Sequence, residues 1–352
     1  MKQATDFAEP LLAWFEQHGR HTLPWQQPRT PYRVWVSEIM LQQTQVNTVI
    51  PYFQKFMQRF PDIAALAAAD ADDVMHYWAG LGYYARARNL HAAAKQVVAE
   101  HGGELPADVQ ALIALRGIGR STAGAIASLA FDIPAPLLDG NAKRVYARYF
   151  GVPGWPGEAR IEKRLWAYAE QHTPKSRPAD YAQAIMDLGA TVCTRKAPGC
   201  AHCPVREGCR ALAENATECY PYPRPGKLRP LRKTRMLILL DGDSVLMQKR
   251  PPAGIWGGLW SLPEVPDASD AQTHCREQLG VQAQKLVEQT NVRHGFTHFE
   301  LQIQPLLARE TQAHANGIAQ EPNQRWCKLS DLPAMPAPVK RLLHTISKPE
   351  NV

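Results

Sequence analysis

Four of the seven cysteines lie close together in the chain, in the spacing Cys-x6-Cys-x2-Cys-x5-Cys. They are Cys193, Cys200, Cys203 and Cys209. An odd total and tight clustering favour a metal centre over disulfides. Zinc sites usually contain two close pairs of cysteines, whereas here only the middle pair is close. Four cysteines around one site match the ligand count of a cuboidal iron–sulfur cluster, which we predict here. Zinc and four unconnected core cysteines are the alternatives.

Two carboxylates stand in sequence settings that suit acid–base chemistry. Glu38 lies in an apolar run, where burial would raise the pKa of its carboxyl and keep it protonated as a general acid. Asp139 has the position of a helix N-cap, and beside a cleft it could also stabilise a developing cation. Cleavage of an N-glycosidic bond needs an acid for the leaving base and an anion for the sugar. A surface-facing Glu38 and a purely capping Asp139 are the alternatives.

A glycine-rich turn provides a candidate site for an anion. Gly117 and Gly119 join two segments with helical periodicity, 107–115 and 121–130. Glycines allow a sharp turn and a close approach of backbone N–H groups, and the following helix, predicted to begin at Ser121, adds its free amides and positive dipole end. The pattern predicts contact with a phosphate backbone without base reading. A plain corner between two helices is the alternative.

The elements that must position these residues are predicted to form two domains, because 352 residues are many for a single core. Residues 1–218 have helical periodicity and predict a mainly α domain that contains the helix-hairpin-helix (107–130) and the cysteine loop (193–209). Residues 219–234 are rich in proline and basic residues and predict an extended linker. Residues 235–350 predict a smaller α+β domain.

Strand signals are confined to the C-terminal third of the chain. Segments 236–240 and 245–249 flank a turn and predict a β-hairpin. Segments 257–260 and 299–303 predict further strands.

Composition limits the class of protein. Hydrophobic residues make up 45% and charged residues 21%, as in ordinary globular proteins. No apolar stretch approaches the roughly 20 residues of a membrane span, and the N-terminus lacks the pattern of a secretory signal. We therefore expect a cytoplasmic protein with no membrane partner. The net charge of +7 suits a polyanionic partner such as nucleic acid, although many basic proteins have none.

Together these features resemble a known family. The hairpin, Asp139 and the cysteine spacing resemble the endonuclease III superfamily of helix-hairpin-helix DNA glycosylases. Within it, the stretches WVSEIMLQQTQ (35–45), GLGYYARARN (80–89) and LDGN (138–141) are similar to the adenine DNA glycosylases, the MutY family. The resemblance implies a monomer with one 4Fe–4S cluster that acts in base excision repair. Its implied partner is double-stranded DNA with adenine opposite 8-oxoguanine or guanine.

The resemblance also implies roles for single residues. Glu38 would protonate adenine at N7 and then help to activate water, while Asp139 would stabilise the sugar cation with Asn141 nearby. The pocket for the flipped-out adenine would be lined by Trp25, Gln26 and Gln183. Gln43, Thr44, Leu81 and Tyr83 would contact the 8-oxoguanine opposite, and Gln42 and Gly82 are implied to bind the substrate or the DNA. Tyr83 would act as a wedge in the base stack, where it fills the gap that base flipping leaves.

One position separates two branches of the superfamily. Bifunctional enzymes of the endonuclease III type carry a lysine nucleophile just after the hairpin, where this chain has Ser121. Without an amine no Schiff base forms, so we predict hydrolysis only. A covalent adduct trapped with borohydride would contradict this, and a bifunctional glycosylase/lyase is the alternative.

The C-terminal domain resembles the 8-oxoguanine recognition domain of the same family, which is similar to nudix hydrolases. The likeness lies in WGGLWSLP (256–263), while the stretch that ends at 275–280 lacks the paired glutamates that hold magnesium. We therefore expect lesion recognition without nucleotide hydrolysis. Phe296, Thr297 and His298 match the family's Phe-Ser-His loop except for threonine, with a strand edge as the alternative. A nudix-type nucleotide diphosphatase and a cluster-bearing DNA-binding module remain the competing functions.

Overall fold

The protein is described by a computed structural model that covers residues 5–226, 228–266, 269–309, 311–313 and 323–346. By the contacts of its residues the chain divides into two compact units. The first consists of Met1–Ala69 and Arg88–Gly226, and the second consists of Asp70–Ala87 and Lys227–Val352. The segment Asp70–Ala87 therefore belongs with the C-terminal residues, although the periodicity of 1–218 predicts one continuous helical domain.

Helices form the N-terminal part of the chain, and its described residues contain no strand before Leu231. The helices are α1 (Thr5–His18), α2 (Pro31–Leu41), α3 (Val46–Arg59), α4 (Ile63–Ala68), α5 (Ala71–Trp78), α6 (Ala85–Glu100), α7 (Val109–Ala114), α8 (Arg120–Phe131), α9 (Gly140–Tyr149), α10 (Ala159–His172), α11 (Pro178–Asp187) and α12 (Arg210–Ala213). The predicted mainly helical domain is confirmed.

Helix α8 lies at the centre of the first unit, against α2, α7 and α11. Residues Ala123–Leu129 of this helix are buried throughout. Gly124 allows the closest approach, because a Cβ atom there would lie 2.1 Å from the carbonyl oxygen of Pro136. The chain that leads to α9 therefore runs directly against α8.

Helix α2 carries Glu38 in its last turn, in a segment whose other side chains are mostly buried. It begins after Thr30, whose Oγ1 accepts a hydrogen bond from the Arg33 N–H at 3.3 Å, and Pro31 occupies its first turn, where no N–H is needed. The helix ends at Leu41, and the left-handed φ of 58° at Gln43 turns the chain away.

The described residues of the second unit form a mixed eight-stranded sheet and a separate two-stranded sheet that consists of the fifth and ninth strands. Its strands are β1 (Leu231–Asp241), β2 (Ser244–Lys249), β3 (Trp260–Ser261), β4 (Glu264–Val265), β5 (Val281–Gln282), β6 (Val287–Glu288), β7 (Val292–Gly295), β8 (Glu300–Ala308), β9 (Gln312–Ala313) and β10 (Gln324–Lys328), and its C-terminal helices are α13 (Ala271–Gln278) and α14 (Ala337–Ile346). The order β10-β2-β1-β8-β6 forms the main path, with β1 parallel to β8. The buried core includes Leu237, Leu239, Leu246 and Leu306.

Several strand predictions can be compared directly. The hairpin predicted from 236–240 and 245–249 is formed by β1 and β2, with Leu240 opposite Val245. The strand predicted at 299–303 begins one residue later, in β8. The prediction at 257–260 is largely wrong, because Trp256 and Gly258 have φ of 54° and 76° and turn the chain before β3. The predicted linker is also too long, since β1 already includes Leu231–Thr234.

No helix among the described residues is long and apolar enough to cross a membrane.

Candidate active site

A cavity of about 790 Å³ lies within the first unit. Side chains from α2, from the turn after it, from the start of α8 and from α11 line the cavity, together with residues 137–141, which lead into the first turn of α9. Nine of the predicted site residues are among them: Trp25, Glu38, Gln42, Gln43, Thr44, Ser121, Asp139, Asn141 and Gln183. The fold therefore brings together residues that lie more than a hundred positions apart in the chain.

Glu38 faces this cavity from the last turn of α2. Burial and, to a smaller extent, the nearby negative charge of Asp139 together raise the pKa of its carboxyl to about 8. Glu38 is partly buried and lines the cavity, in contrast to the surface-facing alternative. At neutral pH the side chain is mainly the neutral acid and can donate a proton.

Asp139 lies at the start of α9 and has a different environment. Its Oδ1 accepts a hydrogen bond from the Ala142 N–H at 2.7 Å, so the predicted N-cap is confirmed. Burial raises the pKa of this carboxyl, whereas hydrogen bonds from Ala142 and Asn141 and the charge of Arg144 act to lower it. On balance the pKa of Asp139 lies above its usual value, while the donors and the positive charge around it stabilise the anion.

Asn141 is oriented by Arg144. The Arg144 Nη2 donates to the Asn141 Oδ1 at 2.9 Å, which leaves the amide nitrogen of Asn141 to serve as the donor to Asp139. Arg144 also donates to the carbonyl oxygens of Cys193, at 2.7 Å, and of Gly189. The loop that carries Asp139 is thus tied to the start of the cysteine segment.

Ser121 also contributes to the position of Asp139. Its Oγ accepts a hydrogen bond from the Leu138 N–H at 2.9 Å. Its neighbour Thr122 accepts from the Gln42 Nε2 at 3.3 Å. The first turn of α8 therefore holds both the residue before Asp139 and the end of α2.

The hairpin has the geometry that its glycines predict. Gly117 has a left-handed φ of 81°, and a Cβ atom there would lie 2.7 Å from the Cβ of Asn89. Gly119 is the N-cap of α8 and faces open space. The helix begins at Arg120, one residue before the predicted Ser121. Its first backbone amides are thus accessible to an anion.

The four clustered cysteines line one small cavity together with Arg148. Buried Arg148 donates to the Sγ of Cys193 at 3.3 Å and to the carbonyl oxygen of Thr194 at 2.6 Å. Burial raises the pKa of the Cys203 thiol to about 11 and also raises that of Cys209. Among the residues that the structure describes, no three histidine, cysteine or acidic side chains are arranged to hold a single metal ion.

Comparison with known proteins gives this arrangement a family. The family model "HhH-GPD superfamily base excision DNA repair protein" matches residues 36–171, and the NUDIX domain model matches residues 235–345. Adenine DNA glycosylase of Buchnera aphidicola subsp. Acyrthosiphon pisum (strain APS) is 36% identical over 97% of this chain and 98% of the relative. The human enzyme of that name is 34% identical over 92% of this chain and 70% of the relative.

The chain belongs to the adenine DNA glycosylase family.

Solved structures agree with this assignment at the level of fold. A thermostable thymine-DNA glycosylase is 27% identical, with a TM-score of 0.54 over 60% of this chain and 98% of its own. Endonuclease III in a non-covalent DNA complex is 21% identical, with a TM-score of 0.51 over 61% of this chain and 99% of its own. The predicted fold class, a helical glycosylase domain with a nudix-like α+β domain, is confirmed. Membership in the family makes the protein a hydrolase of N-glycosyl bonds.

Gln26, in contrast to its neighbour Trp25, is not among the residues that line the cavity. Its Oε1 accepts from the Leu23 N–H and its Nε2 donates to the Arg20 carbonyl oxygen, both at 2.9 Å. The side chain thus stabilises the short 3-10 turn that holds Trp25. Trp25 itself is buried in an edge-to-face contact with Phe53, with ring centroids 5.4 Å apart.

Two residues of the site were missed in the sequence. Asp187 is completely buried and accepts from the Arg20 Nε at 2.8 Å, from the Arg20 backbone N–H at 2.7 Å and from the Gln183 Nε2 at 2.8 Å. Because a carboxylate only accepts, Gln183 must direct its Nε2 to Asp187 and its Oε1 elsewhere. Arg20 also lines the cavity. Their separation of 167 residues left no local signal.

The remaining predicted residues belong to the second unit and do not line the cavity. Leu81 is buried, Gly82 has a φ of 71°, and Tyr83 is 50% exposed with a φ of 48°. Phe296, Thr297 and His298 form the turn between β7 and β8, and not a strand edge.

That turn has an aromatic base. The Phe296 N–H donates to the Phe299 carbonyl oxygen at 2.9 Å, and the two rings stack with centroids 4.5 Å apart. The Trp256 ring lies 5.5 Å from that of Phe296. Thr297 and His298 are exposed at the tip, so their polar groups are accessible to a ligand.

Proposed function

We propose that this enzyme removes adenine that is paired with 8-oxoguanine or guanine in double-stranded DNA, as a monomer in the cytoplasm. The observation that carries the proposal is the pair of carboxyl groups on one cavity, with Glu38 favoured as the acid and Asp139 surrounded by hydrogen-bond donors. Relatives of similar sequence over most of the chain are named adenine DNA glycosylase, which supports adenine as the base.

The two carboxyl groups suit hydrolysis of an N-glycosidic bond. Adenine flips out of the stack into the cavity, and the Glu38 carboxylic acid donates its proton to N7. As the bond to C1′ breaks, its electron pair leaves with adenine, and the Asp139 carboxylate stabilises the oxocarbenium-like sugar. The Glu38 carboxylate then accepts a proton from the attacking water, which restores the acid.

We further propose that the reaction ends at hydrolysis. Ser121 lines the cavity with a hydroxyl whose oxygen already accepts from the Leu138 N–H. A hydroxyl cannot form the Schiff base on which a lyase depends. The geometry therefore favours a positioning role for Ser121. It supports a monofunctional glycosylase over a bifunctional glycosylase/lyase.

The hairpin supports DNA as the partner. The exposed Gly117 and Gly119 and the first amides of α8 can contact a phosphate without reading a base. Endonuclease III, which shares this fold, has been solved in complex with DNA.

Besides Gln43 and Thr44 in the first unit, residues of the second unit are proposed to recognise the base opposite adenine. Tyr83 is exposed in a loop with left-handed backbone, and Thr297 and His298 are exposed at a hairpin tip. An aromatic ring can enter the base stack, while a hydroxyl and an imidazole can form hydrogen bonds with a base or its phosphate.

Single-turnover release of adenine from duplexes with 8-oxoguanine, guanine or thymine opposite tests this function. We expect the order of rates 8-oxoguanine, then guanine, with thymine far slower. Thr297→Ala and His298→Ala should each reduce the preference for 8-oxoguanine over guanine by about five- to tenfold, the effect of one lost hydrogen bond. His344→Ala, an exposed histidine on α14, is the control. Equal rates for all three opposite bases would refute the proposal.

We also propose one 4Fe–4S cluster on Cys193, Cys200, Cys203 and Cys209. Their shared cavity fits such a group, because the four cysteines line one space beside the guanidinium of Arg148. When bound, the cluster would supply a covalent link across residues 193–209. Arg148 would keep the segment joined to Thr217 and Tyr220, whose carbonyl oxygens accept from its Nε at 2.8 and 3.0 Å.

Analysis of iron and acid-labile sulfide tests the cluster. We expect about four of each per chain. Cys200→Ser should lose most of the iron and make the segment 193–217 accessible to protease. Cys219→Ser, which removes an exposed cysteine outside the cavity, should retain the iron. Zinc without iron in the purified protein would contradict the proposal.

A further inference from the structure

The loop that carries Tyr83 joins α5 to α6 and belongs to the same unit as the C-terminal sheet. Tyr83 has a left-handed φ of 48°, a conformation that is unfavourable for a non-glycine residue. Such a conformation persists only where neighbouring contacts hold the backbone in place. One set of contacts holds the Tyr83 loop to α5, and a second set holds α5 to the sheet.

The first set comes from Arg86 and Trp78. The Arg86 Nη2 donates to the carbonyl oxygens of Leu81 and Gly82, both at 3.3 Å, and its guanidinium lies 5.4 Å and 5.5 Å from the rings of Trp78 and Tyr83. The indole Nε1 of fully buried Trp78 donates to the same Gly82 oxygen at 3.3 Å. The loop is therefore held to the last residue of α5.

The second set connects α5 with the sheet. One oxygen of Asp72 accepts from the Lys249 Nζ at 2.7 Å, and the other accepts from the Trp260 Nε1 at 3.3 Å. Lys249 in β2 and Trp260 in β3 are paired across the sheet, so a single carboxylate contacts two adjacent strands. A cavity of about 150 Å³, lined by Asp72, Met75 and Trp260 among others, leaves this edge loosely packed. The polar contacts of Asp72 accordingly matter more for the position of α5.

We propose that Asp72 is a positioning residue that fixes α5 on the C-terminal sheet and thereby fixes the Tyr83 loop. Since Thr297 and His298 project from the same sheet, Asp72 couples the two elements to which we assign recognition of the opposite base. The inference rests on the proposed function for that recognition, whereas the attachment of α5 does not.

A charge exchange tests the coupling in the full-length enzyme. Asp72→Lys and Lys249→Asp each remove the ion pair and place like charges together, while the double variant restores opposite charges. We expect each single variant to reduce the preference for A:8-oxoguanine over A:guanine by about three- to tenfold, and the double variant to recover part of it. Recovery is partial because a lysine at position 72 cannot accept the hydrogen bond that the Trp260 indole donates to Asp72.

Hydrogen exchange supplies a readout that does not depend on the reaction. Amide exchange in Ala71–Trp78 and in residues 79–84 should become faster in both single variants and slower again in the double variant. Glu288→Lys makes the same charge change at an exposed position of β6 and should alter neither exchange nor preference. A general loss of folding would lower the rates of adenine release opposite 8-oxoguanine and opposite guanine together and leave the ratio of these two rates unchanged.

The outcomes are distinguishable. Unchanged exchange in both single variants would overturn the attachment role of Asp72. Faster exchange with an unchanged preference, in an enzyme whose wild type discriminates, would overturn the coupling. If the wild type shows no preference for the opposite base, the proposed recognition fails and the coupling fails with it, while the exchange data still decide the attachment.

Discussion

Replacing Glu38 with glutamine is expected to slow the release of adenine by about 10³- to 10⁴-fold while leaving DNA binding intact. Glutamine has nearly the same size but no acidic proton to give to N7. The pKa of Glu38, raised to about 8 by burial and by Asp139, also predicts how the wild-type rate depends on pH. The protonated form is the active one, so the rate should stay level below this pH and fall as pH rises through it.

Single-turnover rates across pH 6 to about 10, with binding measured in parallel, check both parts. Glu9→Gln, an exposed change on α1, is the matched control and should keep the wild-type rate. Intact release of adenine by Glu38→Gln with binding preserved would remove Glu38 from the mechanism. It would then favour the reading of the protein as a DNA-binding module.

The change Asp139→Asn separates the two roles of this residue. Asparagine caps a helix as well as aspartate does, so α9 and thermal stability should be retained. The loss of the negative charge should nevertheless reduce the rate by about 10²- to 10³-fold, because the sugar cation loses its counterion. The same loss should lower the pKa of Glu38, since Asp139 raises it, and the fall in rate should move to lower pH.

Asp62→Asn gives a control with identical chemistry elsewhere. Asp62 caps α4 through a hydrogen bond from the Ala65 N–H at 2.7 Å, and it lies outside the cavity. Both variants should melt near the wild-type temperature, but only Asp139→Asn should lose activity. Wild-type rates for Asp139→Asn would show that the residue only caps the helix.

The local features of the site were predictable from sequence because neighbours in the chain determine them. The capping role of Asp139 follows from its position before a helical pattern, and the left-handed turn at Gly117 follows from the freedom of glycine. The β1–β2 hairpin was signalled by two apolar segments around a short turn. The departure at Trp256, whose φ of 54° is uncommon for a bulky residue, could not be read from local preference.

Contacts between distant segments had no such signal. The triad of Arg20, Gln183 and Asp187 joins a loop near the N-terminus with α11, and no spacing rule relates Arg20 to the two helix residues. Likewise, the assignment of Asp70–Ala87 to the second unit depends on contacts such as that of Asp72 with Lys249. Helical periodicity reports which face of a helix is buried, but not which element buries it.

The two carboxyl groups of Glu38 and Asp139 show which properties of the site can be predicted from the sequence and which depend on the tertiary structure. The chain by itself determined the residue types, the helix that carries Glu38 and the cap formed by Asp139. It also determined the cysteine spacing from which a cluster is predicted. Only the tertiary structure decided that Glu38 and Asp139 share one cavity, and that burial raises the pKa of Glu38 to about 8. The reason is physical: a pKa depends on solvent exclusion and on charges nearby in space, and folding sets both.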